Sequence, residues 1–280
     1  MGVRRCTCLG ALVALASAPA ALADTTQSTN WAGYAAHGSG VSYRSVQGSW
    51  IEPAVSCVRG TRTYSSYWVG IGGYSASSRA LEQVGTEVDC SASGRVASSA
   101  WYELVPAPST PIRLTVRPGD RMQASVAVNG RSVTVGLYDA TRGRGFRKTV
   151  RRSSVDISSA EWIVEAPSEC FSATNCQTLP LANFGSAAFG AASARAAGGR
   201  TGAISSPLWQ TTKINLRPSS RRFIVNTGSG PALGIATPSE LQSSGTGFRV
   251  TYSLVPVAGG GIFSASTAAV RAGHIVDPGR

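Results

Sequence analysis

Four strand-like stretches of the sequence place a carboxylate, a carboxamide or a tryptophan on one face, often beside glycine. Side chains along a strand point alternately to its two faces, so residues two apart share a face. The stretches are YWVGIGG with Trp68, LEQVGTEVD with Gln83, AWYELVP with Trp101 and Glu103, and AEWIVEA with Glu161 and Glu165. The other face of each stretch carries apolar or aromatic residues such as valine, leucine and Trp162.

Carboxylates and a carboxamide on one face could hydrolyse a bond by acid–base chemistry. A carboxylate can activate water and later donate the proton, while an uncharged amide can stabilise a developing oxyanion. Large aromatic side chains beside glycines would form the walls of a groove. Alternation alone leaves open which face is buried, and it leaves open peptide hydrolysis, sugar hydrolysis and simple binding.

The elements that must position these residues are strands. Helical periodicity is almost absent, and AAFGAASARAAGG is its nearest approach. The clearest hairpin is MQASVAV-NG-RSVTVGLYD, with Asn129-Gly130 as the predicted turn. Many short strands separated by Gly, Ser and Pro turns predict an all-β fold, an antiparallel β-sandwich of two sheets of the concanavalin-like or jelly-roll-like kind.

The N-terminus has the pattern of an export signal. A basic MGVRR segment precedes a short apolar run and an Ala-Leu-Ala cleavage site, so residues 1–23 are predicted to be a signal peptide. We expect one domain over residues 24–256, followed by a Gly/Ala-rich tail at 257–280. The protein is therefore expected to be secreted, with no membrane partner after signal cleavage.

Export also changes how the cysteines are interpreted. Four cysteines remain after signal removal, and an even number in an exported chain favours disulfides. Cys170 and Cys176 bracket a short polar loop, so we expect a disulfide between them. The second disulfide would then join Cys57 and Cys90. A zinc site is disfavoured because paired C-x-x-C spacing is missing and the two histidines lie at opposite ends. We expect no metal and no cofactor.

The chain is strongly basic, with 26 Lys and Arg against 14 Asp and Glu and a net charge of +12. Apart from the run RGRGFRKTVRR at 142–152, the arginines are scattered along the sequence. Scattered cations favour a solvated surface over a nucleic-acid site, so no nucleic-acid partner is expected. Attraction to anionic cell-wall or extracellular polymers stays open.

Several of these stretches together carry a family resemblance. STNWAGY, WVGIGG, LEQVG, AWYELVP, AEWIVE and LPLANFGS occur in that order and spacing, and together they resemble the glutamic peptidases, or eqolisins. The resemblance is strong from Ser28 to about Ser193 and weak from there to Pro256. It implies a secreted endopeptidase with a β-sandwich fold and a concave substrate groove.

The resemblance also implies roles for individual residues. Its catalytic pair corresponds to Gln83 and Glu165, with Glu165 as general base and then acid, and Gln83 as stabiliser of the oxyanion. Trp68 and Trp101 would line the groove, and Glu103 would form hydrogen bonds within it. Glu161 would be a structural neighbour of Glu165.

Some features depart from the family pattern. The usual aspartate of WVGIDG is Gly72 here, so a carboxylate at that position is missing. The basic charge puts a very low pH optimum in doubt, although a carboxylic acid in the cycle still favours acidic pH. Only DTTQ separates the cleavage site from STNWAGY, which leaves no room there for an N-terminal pro-segment.

Two other functions compete with peptide hydrolysis. A carbohydrate-binding or glycoside-hydrolysing sandwich could use the Trp/Glu-lined groove, with Glu103 and Glu165 as the carboxylate pair. An inactive binding or inhibitor protein could use the same scaffold, but the presence of both Gln83 and Glu165 speaks against it. We expect a monomer that acts on protein or peptide substrates.

Overall fold

The computed structural model describes residues 23–172, 175–218, 225–226 and 231–256. Except for Ala23, the predicted signal peptide lies outside these residues, as does the predicted tail at 257–280. The first described strand begins at Asp24 and the last ends at Pro256.

The described part of the chain consists almost entirely of strands. The first ten are β1 (Asp24–Ser28), β2 (Trp31–His37), β3 (Tyr43–Ile51), β4 (Thr63–Gly72), β5 (Leu81–Cys90), β6 (Val96–Leu104), β7 (Thr110–Ile112), β8 (Arg121–Asn129), β9 (Ser132–Asp139) and β10 (Arg144–Arg151). The others are β11 (Ser159–Glu165), β12 (Ser168–Ser172), β13 (Asn175–Thr178), β14 (Ser186–Ala196), β15 (Thr201–Ala203), β16 (Gln210–Leu216), β17 (Val225–Asn226), β18 (Pro231–Pro238) and β19 (Phe248–Pro256). One 3₁₀ turn, Ala197–Gly199, follows β14.

Except for β12 and β13, which form a separate two-stranded hairpin, these strands form two sheets that pack face to face, which confirms the predicted β-sandwich. The first sheet has the order β7-β6-β5-β4-β11-β2-β16-β1, with β1 parallel to β16 and the other pairs antiparallel. The second sheet has the order β10-β9-β8-β3-β14-β19-β18-β17, with β15 beside the end of β14. One residue pair, Leu216 with Ala236, joins the sheets at an edge.

The main hydrophobic core fills the space between the two sheets. It takes Tyr67, Val69, Val84 and Trp162 from the first sheet, together with many apolar residues of the second. The indole of Trp162 donates a hydrogen bond of 2.8 Å to the backbone oxygen of Gln47 on β3, which ties the sheets together. The apolar face predicted for each of the four stretches is therefore the core face, and the opposite face points outward.

Several local predictions can be compared with the structure. The hairpin of β8 and β9 is present, but Asn129 still pairs with Ser132, so the turn residues are Gly130 and Arg131. The turn lies one residue later than predicted because Asn129 is still paired as the last residue of β8. The disulfides Cys57–Cys90 and Cys170–Cys176 are both present, as predicted.

No helix in the described ranges is long and apolar enough to cross a membrane.

Candidate active site

The register of the first sheet arranges the predicted site residues in cross-strand rows. In one row Glu161 lies opposite Gly70, Gly70 opposite Gln83, and Gln83 opposite Glu103. Gly70 has no side chain, and the space above it is occupied by the ring of Trp68 and the side chain of Leu81, which would lie 2.9 Å and 3.0 Å from a Cβ atom there. The four stretches thus meet on the outward face of the sheet.

The next row holds the two tryptophans. Trp68 on β4 and Trp101 on β6 lie on either side of Gly85 on β5. A Cβ atom at Gly85 would lie 2.2 Å from the backbone oxygen of Tyr67 and 2.6 Å from Cβ of Trp68. Glycine at this position is therefore what allows Trp68 to pack across β5.

Glu165 lies one row further and is held by two N–H donors. Its Oε2 accepts a hydrogen bond of 2.7 Å from Nε1 of Trp68, and its Oε1 accepts one of 3.0 Å from Nδ2 of Asn30. Asn30 is oriented in turn by the hydroxyl of Ser28, which donates to Oδ1 over 3.1 Å. Because both donors come from fixed side chains, the orientation of the carboxyl group is fixed before substrate arrives.

Gln83 is oriented by Glu103. Its Nε2 donates a hydrogen bond of 2.7 Å to Oε2 of Glu103. The carbonyl oxygen of its amide is buried and has no hydrogen-bond partner among the described residues. Buried polar atoms without a partner are rare, so this oxygen is available to bind water or a substrate N–H group.

The site is closed, whereas the family resemblance implied a concave substrate groove. Gln83, Glu103, Glu165 and Trp68 are all 0% exposed. A second apolar cluster, formed by Trp31, Ala35, Trp68, Leu81, Trp101, Ile163 and Ile214, packs around them. Trp31 and Trp68 meet edge to face, with ring centroids 4.9 Å apart. The aromatic residues thus cover the polar groups, and some of this wall must move to admit a peptide.

Glu161 differs from Glu165 although both lie on β11. It is fully buried, and neither carboxyl oxygen has a hydrogen-bond partner among the described residues. Burial raises the pKa of Glu161 well above its ordinary value, the neighbouring Ser159 lowers it in part, and the nearby carboxylates Asp156 and Glu82 raise it further. This environment favours the protonated, neutral form of Glu161.

A carboxylate is present beside Gly72 despite the missing aspartate. Gly72 has φ of +84°, and a Cβ atom there would lie 2.7 Å from Cβ of Asp156. Asp156 accepts hydrogen bonds from the hydroxyl of Ser78 and the backbone N–H groups of Gly73 and Ser158. Burial raises the pKa of Asp156, but these hydrogen bonds outweigh it, so the pKa lies below its ordinary value.

Sequence reasoning missed Asn30 and Asp156 as site residues. Asn30 lies within the motif STNWAGY, so its type was visible, but its contact with Glu165 depends on pairing between β2 and β11. Asp156 belongs to none of the motifs, and 84 residues separate it from Gly72. No sequence signal identifies it.

Within the described ranges, no three His, Cys, Asp or Glu side chains are grouped so that they could hold a metal ion.

Comparison with known proteins places this site in context. The model of the peptidase A4 family matches residues 29–227, a range that contains Asn30, Gln83 and Glu165. A comparison with curated proteins gave no significant match.

Solved structures show the same fold. A scytalido-glutamic peptidase bound to a transition-state analogue inhibitor is similar with a TM-score of 0.63 and 23% identity over 80% of this chain and 98% of that one. SCP-B, an eqolisin in complex with the tripeptide Ala-Ile-His, is similar with a TM-score of 0.60 and 23% identity over the same shares.

Proposed function

Because the chain belongs to the peptidase A4 family, we propose that it is a glutamic endopeptidase in which Glu165 and Gln83 hydrolyse the peptide bond. The observation that supports this most strongly is the pair of oriented groups on one sheet face. Glu165 is held by Trp68 and Asn30, and Gln83 is held by Glu103.

The reaction follows from these groups. The Glu165 carboxylate takes a proton from water as the water oxygen forms a bond to the scissile carbonyl carbon. An N–H of the Gln83 amide donates to the oxyanion that develops on the carbonyl oxygen. Glu165 then gives its proton to the amide nitrogen, the C–N bond breaks, and a carboxylic acid and an amine leave. Glu165 ends as the carboxylate with which it began.

Export and acidic conditions are part of the proposal. The N-terminal signal pattern and two disulfides support action outside the cytoplasm as a secreted enzyme. Burial raises the pKa of Glu52, Glu82 and Glu161, which favours their neutral forms and supports action at acidic pH. Substrates are proteins or peptides, and one chain carries the complete site.

Digestion of a denatured protein over about pH 2 to 8 tests the proposal, with pepstatin present to inhibit contaminating aspartic peptidases. We expect wild type to cleave, and Glu165→Gln and Gln83→Ala to lose activity. Loss of an oxyanion donor costs about 10²–10³ in kcat.

Glu161→Gln is the matched control. It makes the same chemical change on the same strand and replaces a neutral acid with a neutral amide, so activity should be retained. If Glu161→Gln were inactive and Glu165→Gln active, the catalytic carboxyl would be Glu161. If wild type, correctly folded, cleaved nothing at any pH, the proposed function would be wrong.

A further inference from the structure

A cavity of about 560 Å³ lies on the side of the sandwich opposite the Gln83–Glu165 site. Its floor is the outward face of the second sheet, where strands β14, β3, β8, β9 and β10 lie side by side. The volume is within the range of small-molecule sites, about 300–1,000 Å³. The peptidase reaction makes no use of this face.

Two cross-strand rows form the floor. One row runs through Ser193, Gln47, Ser125, Gly136 and Arg147. The next runs through Gly190, Ser49, Gln123, Tyr138 and Gly145. The cavity therefore presents amides and hydroxyls in its middle, with an arginine and a tyrosine toward β10.

Glycine allows the tyrosine to lie flat. A Cβ atom at Gly145 would lie 2.8 Å from Cδ2 of Tyr138, so any larger residue would push the ring away from β10. Tyr138 is 43% exposed, so much of its ring is accessible to a ligand. The exposed ring offers a flat apolar surface against which the C–H face of a sugar could pack.

Two amide side chains of the floor are exposed to a ligand. Gln47 and Gln123 are exposed, whereas the hydroxyl of Ser49 donates a hydrogen bond of 3.0 Å to the backbone oxygen of Gly190. An amide can donate to one hydroxyl of a sugar and accept from the next.

The charge of this face is positive. Arg121, Arg147, Arg151 and Arg195 project from the outward side of the five strands. The one acidic residue in these strands is Asp139, which is buried on the core side. A face that carries arginines without an opposing carboxylate is complementary to an anionic ligand.

The wall of the cavity contains a strained bulge. Between Gly190 and Ser193, β14 has one more residue than β3, and Ala191 adopts φ of 50°. Ala191 is the single non-glycine residue with positive φ in the described ranges. Strained backbone and bulges persist mainly at functional positions, where they direct a wall or a side chain.

This face offers a peptide no free strand edge. Peptides commonly bind a sheet by pairing with an exposed edge. The strands of the floor, β3, β8 and β9, each have a partner on both sides, so their backbone groups are already paired. Recognition here must use side chains, and hydroxyl-rich rings match the available amides and hydroxyls.

We propose that this cavity, lined by Gln47, Gln123, Tyr138 and Arg147, binds an acidic polysaccharide of the uronate type. The ring of Tyr138 packs against a sugar, Gln47 and Gln123 bind its hydroxyls, and Arg147 binds a sugar carboxylate. The site holds the enzyme on an anionic polymer while the opposite face remains available for peptide substrates.

Calorimetric titration of the mature protein with galacturonic acid oligomers tests the proposal. The comparison ligands are neutral glucose oligomers and poly-D-glutamate, a polyanion without sugar rings that resists peptidases. We expect binding to the galacturonate oligomers, with affinity lowered about tenfold or more by Tyr138→Ala and by Arg147→Gln.

Arg113→Gln is the matched control, since it removes an exposed arginine that does not line the cavity. It should change affinity by less than about twofold. Cleavage of a short peptide should be unchanged in Tyr138→Ala, which separates this site from the proposed catalytic one. An absence of binding to the galacturonate oligomers would overturn the proposal. So would equally tight binding of poly-D-glutamate, or a loss of affinity in Arg113→Gln equal to that in Arg147→Gln. Either of these two results would mean that net charge alone attracts the ligand.

Discussion

At the scale of single residues, hydrogen bonding distinguishes Glu161 from Glu165, two glutamates that strand alternation places on the same face. Glu161 and Glu165 share a face of β11 and are both fully buried. Glu165 receives two N–H donors, whereas neither oxygen of Glu161 has a hydrogen-bond partner among the described residues. A carboxyl group that receives N–H donors is stabilised in its charged form, which is the form that a general base requires.

Removal of the Asn30 donor should therefore weaken catalysis. We expect Asn30→Ala to lower kcat about 10- to 100-fold, because a hydrogen bond to a charged group contributes about 1.5–3 kcal/mol. The measurement is kcat and KM on a peptide substrate at the optimum pH. Asn129→Ala, in the exposed end of β8, is the control and should match wild type. An unchanged kcat in folded Asn30→Ala would remove Asn30 from the site.

At the scale of elements, the site depends on how closely β4 and β5 approach. The approach is tight at Gly85. Because Gly85 has no Cβ atom, the backbone of Tyr67 and the side chain of Trp68 can both lie against it. Trp68 in turn donates to Glu165. Packing between two neighbouring strands is thereby linked to the carboxyl group on β11.

Gly85→Ala should destabilise the fold and displace Trp68. Overpacking of this kind costs about 1–3 kcal/mol, and contact with a backbone oxygen places this case at the upper end. Thermal unfolding measures the effect. The control is Gly190→Ala on β14, where a Cβ atom would lie 3.6 Å from Oγ of Ser49 and should change stability by less than about 1 kcal/mol. Equal melting temperatures for the two variants would contradict the prediction.

The two disulfides should contribute unequally. They span 33 and 6 positions of sequence, respectively. Loop-closure entropy then predicts that loss of Cys57–Cys90 costs about 4 kcal/mol and loss of Cys170–Cys176 about 2 kcal/mol. Urea unfolding of the two double Cys→Ala variants measures both values. A larger loss from the shorter loop would show that loop entropy does not set the order.

At the scale of the whole molecule, acidic residues are mainly inside and arginines mainly outside. Among the residues that the structure describes, eight acidic side chains are buried, namely Glu52, Glu82, Glu87, Glu103, Asp120, Asp139, Glu161 and Glu165. Burial raises the pKa of Glu52 to about 8, and burial with the charge of Asp156 raises that of Glu82 to about 8. The chain is therefore basic overall, while its interior contains carboxyl groups whose raised pKa values favour the neutral form at acidic pH.

Stability should fall as pH rises through the neutral range. Glu52 has an ordinary pKa of 4.5, so between this value and about 8 the folded state holds a proton that the unfolded state has released. Stability is then fully present below pH 4.5 and decreases until about pH 8. Urea unfolding at successive pH values measures the decrease.

Glu52→Gln tests the contribution of this one group. The amide oxygen can still accept from Trp50 and Thr86, as Oε2 does now, but it has no proton to lose. The variant should therefore show a shallower decrease in unfolding free energy with pH. Glu240→Gln, at a side chain that is 70% exposed, should keep the wild-type slope. If Glu52→Gln also kept that slope, Glu52 would not be the source of the pH dependence.

The two faces of each strand, the disulfide pairs and the family could all be predicted from the amino-acid sequence. These depend on local properties, because strand alternation has a period of two residues and cysteine spacing restricts pairing. The same alternation placed Gln83, Glu103 and Glu165 on one face before their neighbours were known. Which face was buried in the core followed only from the packing of the two sheets.

The contacts that orient the site depend on the packing of strands that are distant in sequence. The hydrogen bond from Asn30 to Glu165 spans 135 residues, and that from Gln83 to Glu103 depends on the register of β5 and β6. Tertiary packing also covers the face on which the resemblance implied a substrate groove, and it places Asp156 beside Gly72. Contacts of this kind depend on which strands become neighbours, and strand alternation carries no information about partners that are distant in sequence.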